Sequence, residues 1–469
     1  MSKATKKSLE SRLHQLKCHF TWNLLEGESS LDEFEDRVFN QHEFQNSEFK
    51  ATMCNILAFI KHHRGQNEAA LEYLGQAEEF IQTEHAAQAE IRSLVTWGNY
   101  AWVHYHMGQL SEAQTYVDRV KEVCTKFSCL YKIESPELDC EEGWTLLKCP
   151  QKIERAKACF QKALEKKAKH PESTSGWAIA SYRLDRYPPA QFPVHALRRA
   201  IELNPGNQYV KVLLGIELQN MNEDEGQELV EEAIKKAPGA TDVLLRAAKF
   251  YQSQGAIDKE IGLLRKALEC MPNNAYLHYR IGCCYKSEVL QMNTREKAMN
   301  RKRRKFLELT EKAIHHLRKA EDLNVNFVHV GSYLASIYAN AGQYKEADFY
   351  FQKEFSKELA PVPKQLLHLR YGNFQLYQMK REDKAIQQFI EGVKIKQKSK
   401  AKEKMKSKLQ KLAQTRLSRN EADVEAQHVL AFLQELDGEA EQIDEDSEIV
   451  ANSESHAPST SLDEMENED

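Results

Sequence analysis

Three features predict an all-α fold, a superhelical α-solenoid of stacked helix pairs. The first is Thr241–Asn274, TDVLLRAAKFYQSQGAIDKEIGLLRKALECMPNN, which carries two successive helical faces. Leu244, Ala247, Ala248 and Tyr251 form one, and Ile261, Leu264, Ala267 and Leu268 the other. Gly255 parts them and Pro272 closes the second. Two helices this short cannot bury their shared apolar face alone, so they require copies on either side. The second feature is recurrence: Ala51–Glu84, Leu94–Phe127 and Val328–Pro361 repeat the spacing without gaps. A small residue at position 8, an aromatic at 11, Gly at 15, Ala at 27 and Pro at 32 is the arithmetic of a tetratricopeptide repeat. The third is composition: 41% hydrophobic and 29% charged residues suit a soluble helical chain.

In order along the chain, residues 1–50 precede the repeats. Leu13, Leu16, Cys18 and Phe20 predict one short helix, and Leu31–Phe39 another with Phe34 and Val38 as its apolar contacts. An N-terminal repeat subdomain follows over 51–240. Within it Cys129–Lys152 loosens the period, and Glu154–Lys167 restores it through Ala156, Phe160 and Ala163. Tyr187-Pro188-Pro189 interrupts the helix pair that starts at Trp177. A C-terminal repeat subdomain spans 241–436. Its second unit is split by a charged insertion, 286–305, with the partner helix delayed to Phe306–Ala320. Lys394–Arg419 reads as one long basic helix, and Asp423–Leu436 as a closing helix through Val424, Val429, Leu430 and Leu433. Residues 437–469, rich in Ser, Glu and Asp without apolar period, read as a disordered acidic tail. About nine helical pairs result, with irregular inserted helices near 129–152 and 286–305.

Charge is distributed unevenly. Fourteen acids and no Lys or Arg lie between Glu435 and Asp469, which leaves residues 1–434 at a formal +9 although the whole chain is -5. A basic body attracts polyanions. Eleven Lys/Arg fall between Lys394 and Arg419 with Glu403 as the nearby acid, and Arg295, Lys297, Arg301, Lys302, Arg303, Arg304 and Lys305 add a second patch. A solvated helix and a polyanion-facing helix both account for such runs. Trp97, Trp102, Tyr105, Tyr116, Trp177 and Tyr182 read mainly as core, with stacking on bases beside Arg183 as the functional alternative.

Chemistry is excluded more firmly. The adjacent pairs His62-His63, His315-His316 and Cys283-Cys284 diverge by roughly 100° on a helix and do not converge on a metal. Cys140 and Cys149 lack partners at zinc spacing, and neither GxGxxG nor GxxxxGK[ST] occurs. No enzyme, cofactor or metal is therefore expected. Ten cysteines are too few for a disulfide scaffold, no apolar run is long enough to span a membrane, and Met1–Lys17 has no signal-peptide core. Those features together place the chain in the cytoplasm as an expectation.

Longer segments carry a resemblance. CHFTWNLLEGESSLDEFEDRVF at 18–39, AEIRSLVTWGNYAWVHYHMGQLSEAQ at 89–114, SPELDCEEGW at 135–144, residues 248–285 and KQLLHLRYGNFQLYQMK at 364–380 resemble the interferon-induced proteins with tetratricopeptide repeats. The resemblance covers essentially residues 8–436. It implies an interferon-induced, cytoplasmic antiviral effector that binds RNA without turnover. In the member these segments resemble most, it implies AU-rich RNA, single- or double-stranded, as ligand, and a domain-swapped homodimer. Hetero-complexes with related family members, contact with the translation initiation machinery and promotion of apoptosis are also implied. The family's basic RNA surface carries over to Arg37, Arg183, Lys249, Lys286 and Lys404, while a further basic position falls at Ser253. The Thr241 repeat thereby becomes a wall of an RNA-binding surface, with Lys249 as an exposed residue on it. The competing reading is a scaffold that assembles family members and initiation factors without recognising RNA directly.

Overall fold

A computed structural model describes residues 3–27, 31, 34, 35, 38, 50–184, 194–221, 225–292, 300–324 and 329–447. Every described element is helical, and no strand occurs among the described residues. From Lys50 to Lys394 the described helices fall into nine consecutive pairs, each packed on its own partner. The chain separates into two compact units, one running to Cys270 and one beginning at Met271. The pair Thr241–Ser253 and Ile257–Cys270 lies within the first unit, packed across Ala240 on what precedes it. Asp242 and Lys148 are both buried, Arg246 Nε donates to the Tyr209 hydroxyl at 3.0 Å, and Ser253 Oγ donates to Gln219 Oε1 at 3.1 Å.

The repeat glycines terminate the first helices. Gly65, Gly108, Gly255 and Gly342 all have φ between 67° and 79°, a conformation side chains resist. In each case the residue after the glycine donates its N–H to a carbonyl five residues back: Gln66 to Lys61, Gln109 to His104, Ala256 to Tyr251 and Gln343 to Tyr338. This 6→1 closure ends the helix and turns the chain into its partner. A second set of small residues lets the partners touch. A Cβ at Gly143 would enter the Phe160 ring, one at Gly282 would meet Leu317, and one at Gly372 would enter the Phe389 ring.

Three sequence expectations change. The loosened stretch 129–152 contains a helix, Pro136–Leu146, capped by Ser135 Oγ accepting from Glu137 N and started by Pro at its first position. It pairs with Ile153–Lys166. Helix also enters the charged insertion from both sides: Ala275–Gln291 runs on past Lys286, and its partner is Asn300–Leu323. At the C-terminal end, Lys394–Arg419 is two elements. Glu382–Lys394 ends there, and Ser399 caps a new helix, Lys400–Arg419, by accepting from Lys402 N at 3.1 Å. Its buried stripe is Ala401, Met405, Leu409 and Ala413. The closing helix runs from Val424 to Ser447, so the backbone stays helical for ten residues beyond the expected end of order at 437. Val424 is exposed rather than capping, whereas Val429 and Leu433 are buried in the same cluster as Met405 and Leu409. The Tyr187-Pro188-Pro189 break lies outside the described residues.

The segment before the repeats is held by a buried polar network. His19 donates its backbone N–H to Asn99 Oδ1 at 3.1 Å, and its ring nitrogens lie 3.1 Å from Asn99 Nδ2 and 3.2 Å from Thr145 Oγ1. Asn99 Nδ2 continues to Asn55 Oδ1 at 3.0 Å. Lys17 Nζ reaches Asp139 at 3.1 Å, and Arg155 donates to the Trp22 carbonyl at 2.9 Å. Burial lowers the His19 pKa to about 3, so the ring is neutral in the native state. His329 in the second unit, buried and beside Arg370 and Lys357, is also lowered to about 3.

Both histidines take up a proton more readily when unfolded, so their contribution is complete above pH 6.5 and falls as pH drops toward 3. At pH 5 each should cost its unit about 2 kcal/mol relative to pH 7, or roughly 4–8 °C in Tm. Thermal melts at the two pH values check this. His19→Gln should flatten the slope in the N-terminal unit, and a slope unchanged by that substitution would refute the assignment.

Candidate nucleic-acid interface

The first helices of successive pairs present cations opposite their packing seam. Two residues apart on a helix means roughly 200°. Arg246, Arg280 and Arg370 stand two before Ala248, Gly282 and Gly372, and Tyr333 stands two before Ala335. The small residue faces the partner helix, so the arginine or tyrosine faces away from it.

In the second unit this register gathers charge around aromatic rings. Tyr279 and Tyr333 stack with centroids 5.7 Å apart and planes 7° off parallel. Lys286 Nζ lies 4.6 Å from the Tyr333 centroid, and the Arg370 guanidinium 4.5 Å from it. Arg370 Nη1 also donates to Ser332 Oγ at 2.7 Å, and Arg280 Nη1 donates to the Tyr276 hydroxyl at 3.3 Å. Lys286, Arg280 and Arg370 all act electrostatically on the Cys283 thiol, although burial is stronger and pushes its pKa up to about 11. Three cations therefore share one neighbourhood in which Tyr279 and Tyr333 are buried. A cation over a ring face is stabilised by the ring quadrupole.

The basic helix contributes a different surface. Lys396, Lys398, Lys400, Lys404 and Lys411 are exposed on and just before Lys400–Arg419. Lys408 sits over the Tyr377 ring at 5.0 Å and donates to its hydroxyl at 3.1 Å. Arg416 is committed elsewhere, gripping Glu382, Asp383 and Glu425. In the neighbouring patch Arg303, Arg304 and Lys305 are exposed, with Lys305 3.6 Å from Glu288.

The first unit is more self-compensated. Arg183 is half-buried and donates Nη1 to the Leu147 carbonyl at 2.7 Å. The next residue after that carbonyl, Lys148, is buried, and desolvation lowers its pKa to about 7 against the pull of Asp242. Desolvation raises Asp242 to about 6 although Val243 N donates to it at 2.8 Å. Lys211 pairs with Glu232 at 3.1 Å, and Arg246 lies 5.9 Å from the Tyr209 centroid. An open cleft of about 350 Å³ is lined by Glu84, His85, Arg92, Lys167, His170 and Glu172. Its Arg92 is held by Glu172 at 2.8 Å and by Gln88, so it offers no uncommitted cationic fork.

The sequence-derived residues are thus placed unequally. Lys286 joins the Tyr333 cluster and Lys404 is exposed on the basic helix. Lys249 is half-buried rather than exposed, because the Thr241–Ser253 helix buries nine of its residues. Ser253, one turn on, is exposed. Arg183 has a structural bond, and Arg37 lies outside the described residues. Arg280, Arg370 and Tyr333 do not stand out in the sequence. Their signal, a cation or tyrosine two before the small repeat position, is present but weak. The aromatic candidates resolve mainly into packing: Trp102, Tyr105 and Tyr182 are buried, Trp97 Nε1 donates to Glu78 at 2.6 Å, and Tyr116 stacks on Tyr100. No group of three or more metal-type ligands occurs among the described residues; His62 instead meets His106 at 2.8 Å, and His316 meets His278 at 3.0 Å. No helix among the described residues is long and apolar enough to cross a membrane.

No family model matches the chain. The human protein "Interferon-induced protein with tetratricopeptide repeats 2" is 66% identical over 468 residues, covering 98% of this chain and 99% of that protein. The chain belongs to the family of interferon-induced proteins with tetratricopeptide repeats. Within the family, human "Antiviral innate immune response effector IFIT1" is 42% identical and aligns over 92% of each chain. Solved family structures share the fold. A monomeric IFIT1 mutant with Gppp-AAAA is 40% identical with a TM-score of 0.77, covering 95% of this chain and 100% of that one. The human IFIT1 dimer with m7Gppp-AAAA is 39% identical with a TM-score of 0.75 over the same shares.

The buried pair of the first unit has a measurable consequence. Lys148 releases its proton at lower pH when folded, so native stability should rise with pH between about 7 and 10. The slope is about 1.4 kcal/mol per pH unit while it titrates, or roughly 3 °C. Asp242 has finished titrating by then. Melting curves of the wild type and Lys148→Met at pH 7, 8 and 9 should diverge in the wild type's favour; parallel curves would show that Lys148 does not titrate there.

Proposed function

We propose that this chain is a cytoplasmic antiviral effector of the interferon response that captures AU-rich RNA, single-stranded or duplex, without chemical turnover. The observation that carries this reading is the placement of Lys286 and Arg370 over Tyr333, together with the exposed lysines Lys396, Lys398, Lys400, Lys404 and Lys411. Cations over rings suit stacked bases and phosphates, and an exposed basic helix suits a backbone. The Gppp-AAAA and m7Gppp-AAAA ligands of the solved IFIT1 structures support the same ligand class. In this reading Lys404 and Lys286 contact phosphates, as do Lys249, Arg37 and Arg183 in the parts they can still reach. Ser253 removes one charge from the Lys249 face, and AU preference arises from duplex shape or base contacts. Capture of RNA restrains viral replication or translation. A domain-swapped homodimer, hetero-complexes with relatives, contact with the initiation machinery and promotion of apoptosis belong to the same proposal. The dimer draws support from the dimeric IFIT1 structure.

The test is a salt series of RNA affinity. Lys249→Glu with Lys404→Glu and Arg370→Gln should weaken binding of an AU-rich duplex at least tenfold at low salt. Removing one phosphate contact should reduce the slope of log K against log salt by about 0.9. Arg183→Gln is better read separately, because it also unties the Leu147 carbonyl. A folded triple variant that binds as tightly as the wild type would leave the scaffold reading in place of this one.

A further inference from the structure

The last of the nine helix pairs departs from the others at the end of its first helix. In four regular pairs the small seam residue stands seven before the left-handed glycine: Ala58 before Gly65, Ala101 before Gly108, Ala248 before Gly255 and Ala335 before Gly342. After Gly372 the left-handed position comes eight residues on, and Lys380 fills it with φ of 55°. A π turn over Phe374–Gln378 takes up the extra residue, and Arg381 N donates to the Gln375 carbonyl, six residues back, at 2.8 Å. Such turns are rare and stand frequently at functional sites.

What this turn displays is Tyr377. Phe374 and Gln375 are buried, whereas Tyr377 is 52% exposed. Elsewhere tyrosine rings are committed to packing, as Tyr100 on Tyr116, Tyr338 on Tyr350 and Tyr371 on Phe374. Among the described residues no other aromatic ring lies against Tyr377. Its hydroxyl accepts from Lys408 Nζ at 3.1 Å, so the basic helix holds the ring by its polar edge. Lys404, Lys408 and Lys411 follow at i, i+4 and i+7 and share one face of that helix. Lys404 and Lys411 are exposed and Lys408 is half-buried. Along the axis Lys404 stands about 6 Å before Lys408, and Lys411 about 4.5 Å after it. The ring is thus anchored at the middle of a row of ammonium groups.

We propose that Tyr377 is a stacking platform for an unpaired base of single-stranded RNA, with the phosphates beside that base on Lys404 and Lys411. This rests on the reading of the chain as an RNA-binding protein. Every base has a π-face, so the platform takes A or U alike and adds affinity without reading sequence. A base inside a duplex is already paired and stacked on its neighbours, and offers its face to no side chain. Tyr377 therefore strengthens the capture of single strands and leaves that of duplexes to the phosphate contacts.

The test uses the full chain, an oligouridine strand and a blunt A·U duplex. Tyr377→Ala should weaken oligouridine binding at least about fivefold, and duplex binding much less. Its slope of log K against log salt should match the wild type, because lost stacking involves no counterion, whereas Lys404→Met should lower that slope by about 0.7. Tyr377→Phe keeps the ring and should restore most of the affinity that alanine loses. In the wild type, 5-iodouridine in the strand should photocrosslink to Tyr377. Wild-type affinity in Tyr377→Ala, equal loss on both RNAs, no recovery with phenylalanine, or crosslinks that fall elsewhere would each overturn the platform. An unchanged slope in Lys404→Met overturns the phosphate assignment. Oligouridine binding that survives all three substitutions removes this inference and leaves the RNA reading standing; a wild type that binds neither RNA removes both.

Discussion

The close approach of paired helices at one small residue per first helix is the constraint on which everything else depends. Gly143 against Phe160, Gly282 against Leu317 and Gly372 against Phe389 leave no room for a Cβ. At Gly215 and Gly226 the two backbones themselves are in contact. Such a seam fixes the rotation of each first helix about its own axis. Once that rotation is fixed, the residue two positions earlier is committed to the far side. Repeated over successive pairs, a packing rule becomes a rule for where functional side chains are displayed.

The same constraint explains why charge of similar composition behaves differently in the two units. In the first, Lys148, Lys211 and Arg183 meet Asp242, Glu232 and the Leu147 carbonyl, and desolvation pulls the Lys148 and Asp242 pKa values toward one another. Charges so placed serve the fold before they serve a ligand. In the second, Lys286 and Arg370 lie over Tyr333, whose ring face stabilises a cation.

Much of the architecture was legible because tetratricopeptide spacing states its own physics. Gly255 closes a helix with φ of 67°, and Ala248 is the small residue of the seam, as the Thr241 repeat required. Legibility failed where a local signal was outvoted by an average. Ser135-Pro136-Glu137 is a helix start, yet the loosened period around it suggested irregular chain. Lys394 to Arg419 looked continuous because lysine is a good helix former, while Ser399 could cap a new helix and did.

By itself the sequence determined the helix pairs, their glycine closures, the basic body with its acidic end, and the family. Each of these depends on residues near in the chain or on composition. Tertiary structure alone decided which cations are buried and which exposed. Lys249 and Lys404 read alike as lysines on basic helices, but the first is half-buried in a tightly packed helix and the second exposed. Arg280, Lys286 and Arg370 became one cluster only when helices 275–291, 330–340 and 361–373 were brought side by side. Burial and convergence are properties of distant segments meeting, and no local pattern encodes them.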